Sequence, residues 1–146
     1  MTVGHLWMIE QGAQLFDELV VGIGVNPKKK PMFNVEEREG MIDGATRHVK
    51  NLIAIDDFSG YLFNFALKYK ATHLLRGIRN SSDFEYEQTM RHLNGDFSPA
   101  LQTVFLMPPR EIAEVSSSTV KGLIGPEGWQ EIIKPFVPDN VFKELT

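Results

Sequence analysis

Short β-branched runs alternate with stretches of helical period along most of the chain, and this alternation restricts the fold more than any other feature. Leu6, Ile9, Ala13 and Phe16 recur at helical spacing, and Leu19 to Val25 is a β-branched run bounded by Asp17-Glu18 and Asn26-Pro27. Asn34 with Glu37 three residues on predicts a capped helix start, running to about His48, and Leu52 to Ile55 reads as a short strand. Tyr61 to Tyr69 is helical in pattern, and His73 to Leu75 is a strand. Ser82 with Glu85 predicts a cap for a helix through about Leu93, and Gln102 to Met107 ends the series as a strand. Strands joined through helices of this length need right-handed crossovers, so the expectation is a doubly wound α/β domain with a mostly parallel sheet covered on both faces.

Composition narrows the class of partner. A chain of 146 residues without an internal repeat or a Pro/Gly/Ser linker is expected to form one domain, residues 1–146. Hydrophobic residues at 42% and charged residues at 23% are ordinary for a globular protein, and no apolar run approaches the roughly 20 residues that cross a bilayer. There is no cysteine, which excludes disulfides, a thiolate nucleophile and a thiolate metal site. The opening has neither the basic start nor the long apolar stretch of a signal peptide, so a cytoplasmic location is expected. A net charge of -4 argues against nucleic acid or an anionic membrane as the main partner, leaving local cationic clusters to bind a small polyanion.

In a doubly wound sheet ligands bind beyond the carboxyl ends of the strands, which directs attention to Asn26 to Pro31, Arg76 to Asp83 and Pro108 to Ser118. Asn26-Pro27-Lys28-Lys29-Lys30-Pro31 sets three ammonium groups between prolines after a strand; the plainer alternative is a solvated loop. Arg76-Gly77-Ile78-Arg79 offers two forked donors beside a glycine that admits close approach, against the alternative of surface ion pairs between Arg79 and the acidic stretch Asp83-Phe84-Glu85-Tyr86-Glu87. Val115-Ser116-Ser117-Ser118-Thr119 gathers hydroxyls and N–H groups at a helix start one turn before Lys121, suited to a triphosphate or, more plainly, an ordinary serine cap. Thr2-Val3-Gly4-His5 opens a helix whose first N–H groups and dipole favour phosphate, with His5 as a donor; its alternative is a terminus with an incidental histidine.

Taken together these residues resemble the bacterial-type phosphopantetheine adenylyltransferases of the nucleotidylyltransferase superfamily, from Thr2 to about Lys121. Asn26-Pro27-Lys28-Lys29-Lys30-Pro31-Met32-Phe33 with Glu36-Glu37-Arg38, Arg76 to Arg79 with Asp83 to Glu87, and Val104-Phe105-Leu106-Met107-Pro108 follow the family's order and spacing. The resemblance implies a Rossmann-like, nucleotidylyltransferase-type sheet and adenylyl transfer from ATP to 4'-phosphopantetheine, with magnesium accompanying ATP and no metal held by the protein. It implies that His5 stabilises the transition state, that Lys29 and Arg76 hold the acceptor phosphate, and that Leu62 lines the pantetheine arm. It places Gly77, Ile78, Arg79, Glu87 and the segment Ile112, Ala113, Glu114, Val115, Ser116, Ser117 and Ser118, together with His5, against ATP. Dephospho-coenzyme A or coenzyme A is implied as product or feedback ligand, and a homo-hexamer as the assembly.

Three departures qualify the resemblance. The family's first strand, with its Gly-Thr-Phe-Asp-Pro turn, is absent ahead of Thr2-Val3-Gly4-His5, which the resemblance implies is a variant of the superfamily's histidine signature, so a truncated or mis-started sequence is expected. Ile112 replaces a frequent tryptophan and Glu114 a frequent aromatic, from which reduced nucleotide affinity is expected. Gly125-Pro126-Glu127-Gly128-Trp129 lengthens a connection, and Pro126 is expected to end the helix before it. The alternatives are a catalytically impaired nucleotide-binding paralogue and a sibling nucleotidylyltransferase with another acceptor.

Overall fold

A computed structural model describes residues 1–26 and 31–146. Helix α1 (Val3–Leu15) precedes strand β1 (Leu19–Gly24), α2 (Val35–Thr46), β2 (Leu52–Phe58), α3 (Leu62–Lys68), β3 (His73–Gly77), α4 (Ser81–Phe97) and β4 (Gln102–Leu106). The remainder is helical: α5 (Arg110–Ala113), α6 (Ser117–Leu123), α7 (Trp129–Ile133), a 3-10 turn (Lys134–Phe136) and α8 (Asp139–Leu145).

The strands are parallel, as helical crossovers require, and their ladders come in two pairs among the described residues. Strand β1 lies on β2 with Leu19 opposite Leu52 and Gly24 opposite Phe58, and β3 lies on β4 with His73 opposite Gln102 and Gly77 opposite Leu106. Helix α1 touches both pairs through Gly12. A Cβ there would sit 2.9 Å from Leu75 Cδ2 and 3.1 Å from Leu19 Cδ1, so only a residue without one lets the helix approach this closely. Asn51 secures the end of α1 by donating to the carbonyls of Ala13 and Phe16 at 2.9 and 2.8 Å, satisfying two acceptors that the helix leaves open.

Local signals were read correctly where they were isolated. Asn34 caps α2, accepting from the Glu37 N–H at 2.8 Å, while Glu37 Oε2 accepts from the Asn34 N–H. Helix α4 differs from expectation: its cap is Asn80, which accepts from the Asp83 N–H at 2.8 Å, not Ser82, and it continues to Phe97. Two overlapping cap patterns compete here, and β3 with the Ile78 N–H to Leu106 carbonyl bond ends soon enough for the earlier one to win. Strand β2 outruns its predicted end because Asp56 and Asp57 continue the ladder opposite Gly22 and Ile23. Helix α6 stops at Leu123, before Pro126, as expected. Gly125 and Gly128 then take φ of 127° and 78°, which glycine adopts without strain.

Met41 of α2, Val120 of α6, and Ile133, Val137 and Val141 of the C-terminal region form one buried cluster. Asn140 of α8 ties it to α2, donating to the Met41 carbonyl at 2.8 Å.

Candidate active site

The histidine signature forms the first turn of α1. Thr2 is its N-cap, and His5, at the third helical position, takes the part that glutamate usually plays in a capping box. His5 Nδ1 accepts from the Thr2 main-chain N–H at 3.2 Å and lies 2.8 Å from Thr2 Oγ1. Burial lowers the His5 pKa to about 4, helped by the guanidinium groups of Arg79 and Arg38. His5 as a whole residue is nonetheless exposed, and water moderates the shift without changing its direction, so the imidazole is neutral near pH 7.

Three stretches of chain meet at this turn. A Cβ on Gly4 would lie 3.7 Å from the Val115 carbonyl and 4.0 Å from that of Ile112, so the start of α1 rests on the segment expected to contact ATP. One turn along, Met8 Sδ would be 3.3 Å from a Cβ on Gly77 at the end of β3. Arg79 and Arg38 face His5 closely enough to influence its charge. The structure brings His5, Gly77, Arg79, Ile112 and Val115 into one neighbourhood, together with Thr2 and Arg38, to which the sequence analysis gave no separate role. Arg38 carried a weak signal within the Glu36-Glu37-Arg38 string, and Thr2 carried one through its cap spacing to His5.

Arg76, on β3, points elsewhere. Its Nε and Nη2 donate to Glu87 Oε2 and Oε1 at 2.8 and 2.6 Å, a forked pair in which the Glu87 side chain is 9% exposed and that of Arg76 41%. The bond to Glu87 is the main reason that the guanidinium pKa is raised, and it outweighs the cost of burial. Glu87, expected at ATP, is here occupied by Arg76. Leu62, Arg76 and Glu87 share a small cavity with Tyr86, Met90 and Asn94, which the sequence reading missed. Glu87, Met90 and Asn94 follow helical spacing along α4, so the stripe was legible once Glu87 was chosen.

Arg79 and Ser116 also make the local bonds that the plainer alternatives describe. Arg79 donates through Nε to Asp83 Oδ2 at 2.8 Å, and that bond keeps the Asp83 carboxyl below its usual range. Ser116 is the N-cap of α6, accepting from the Thr119 N–H at 3.0 Å, while Ser117 and Ser118 stand exposed beside it. Ala113 closes the short α5, and Glu114 is exposed. Lys29 lies outside the described residues. An open depression of about 550 Å³ between α2 and β2, bordered by Glu36, Glu39, Asp43 and Arg47, contains none of the expected site residues.

Comparison with known proteins identifies the family. Residues 1–123 match the family model described as cytidylyltransferase-like. The chain is 50% identical over 145 residues to a phosphopantetheine adenylyltransferase of Neisseria meningitidis serogroup B, covering 99% of this chain and 85% of that protein. It is 47% identical over 146 residues to one of Chromobacterium violaceum, covering 99% and 88%.

Proposed function

We infer the reaction from kinship: the chain belongs to the phosphopantetheine adenylyltransferases, a cytidylyltransferase-like family of nucleotidyltransferases. It transfers the adenylyl group of ATP to 4'-phosphopantetheine, giving dephospho-coenzyme A and pyrophosphate in coenzyme A biosynthesis. An oxygen of the acceptor phosphate bonds to the α-phosphorus, and the bond from that phosphorus to the bridging oxygen breaks as pyrophosphate leaves. No covalent intermediate on the protein is needed. The chemistry asks for two polyanions held in line and their charge offset, so positioning and electrostatics supply most of the catalysis.

The observation that supports this reading is the close approach of α1 to segment 112–115 through Gly4 and, one turn along, to the end of β3 through Met8. In it, His5 donates to the transferring phosphoryl group, and Gly77, Ile78, Arg79 and the segment 112–118 receive ATP. Arg76, with Lys29, takes the acceptor phosphate, and Leu62 lies along the pantetheine arm. Glu87 serves Arg76 in this state. Magnesium accompanies ATP on the triphosphate, as the family resemblance implies. A cytoplasmic homo-hexamer with coenzyme A as a feedback ligand completes the proposal by family resemblance. No helix among the described residues is long and apolar enough to cross a membrane.

A coupled pyrophosphate assay tests the reaction. Release is expected only when ATP and 4'-phosphopantetheine are both present, with CTP a poor substitute. Equal rates with CTP would favour a sibling enzyme, and calorimetric ATP binding without any pyrophosphate release would favour an impaired paralogue.

A further inference from the structure

We propose that Thr2 is a positioning residue whose hydroxyl and main-chain N–H hold His5 in the neutral tautomer that carries its proton on Nε2. This rests on the reaction proposed above, in which that nitrogen meets the oxygens of the transferring phosphoryl group.

The geometry leaves little choice of tautomer. The hydrogen of a peptide N–H is fixed in direction, and that of Thr2 is directed at His5 Nδ1. A proton on Nδ1 would set two donors against each other at 3.2 Å. The neutral ring therefore uses Nδ1 as an acceptor and keeps its hydrogen on Nε2. The Thr2 hydroxyl can rotate, and at 2.8 Å it becomes the second donor to the same lone pair. Thr2 is only 2% exposed, so water cannot replace the hydroxyl if it is lost. The neighbouring charges act in the same sense, because the guanidinium groups of Arg79 and Arg38 disfavour an imidazolium. The third position of a capping box thus does two things here. It closes the helix start, and it aims a ring whose other nitrogen stays free to donate.

Ring-nitrogen NMR of the full chain with labelled histidine reads the tautomer directly, with the His5 signals assigned by their loss in His5→Gln. The expected wild-type state near pH 7 is neutral with hydrogen on Nε2; hydrogen on Nδ1 would overturn the proposal. Thr2→Val removes the hydroxyl at nearly constant volume. It is expected to lower kcat about 5- to 10-fold with the KM for ATP unchanged, and Thr2→Ser is expected to restore it. A Thr2→Val enzyme with wild-type kcat, or a Thr2→Ser enzyme equally impaired, would refute the role of the hydroxyl. If Thr2→Val does not fold, the wild-type tautomer together with Thr2→Ser decides. If the chain releases no pyrophosphate at all, the reaction assignment fails while the tautomer is still read.

Discussion

The two strand pairs carry the same kind of ion pair in different surroundings. Beside β2, Asp56 accepts from Lys68 and Tyr69 at a surface where the side chains of the Lys68–Asp56 pair are 60% and 26% exposed. Beside β3, Arg76 and Glu87 are 41% and 9% exposed, and both guanidinium bonds end on one carboxylate. An exposed pair gains little because water serves both charges almost as well, whereas a carboxylate withdrawn from water depends on its partner. The first half of the molecule is instead held by packing: Gly22 leaves room for Phe65, whose ring stacks on Phe58 at 4.8 Å. One half is a scaffold limited by volume, and the other rests on an ion pair partly withdrawn from water.

Substitutions can break this contrast. Gly22→Ala should have the largest effect, because its Cβ would fall 2.8 Å from Phe65 Cε1 and 3.1 Å from Phe58 Cε1. A loss of about 1–3 kcal/mol in chemical denaturation is expected from such overpacking. An unchanged midpoint would mean that the rings yield freely. Glu87→Ala should cost about 1–2 kcal/mol, less than a fully buried pair because Arg76 still reaches water. Asp56→Ala, measured beside it, should leave the midpoint where it was. Equal losses for Glu87→Ala and Asp56→Ala would erase the distinction between the two halves.

What the sequence made legible follows the range of the interactions involved. Periodicity and the Asn34–Glu37 box are local, and they located α1 to α4 and all four strands within a few residues. Local rules pointed to Ser82 and not to Asn80, because the start of α4 depended on where the β3–β4 ladder released the chain. They also gave no account of the C-terminal core. Val141 and Ile133 are buried against Met41, about a hundred positions away in sequence, and the Asn140 to Met41 bond has the same long reach. At the site, residue types and strand ends pointed to His5, Gly77, Arg79 and the segment 112–115. Nothing local revealed that Glu87 would be taken up by Arg76, since a carboxylate on a helix shows its partner only after the strand beside it is in place.

The His5 turn is where these strands of reasoning converge, and His5→Ala tests it most directly when turnover and ATP affinity are measured on the same preparation. Because the ring is proposed to act on charge that develops in the transition state, kcat should fall by about 100- to 1,000-fold while the calorimetric Kd for ATP stays within about 2-fold. Parallel losses in kcat and ATP affinity, or turnover that survives intact, would remove His5 from the chemistry and contradict the site described here.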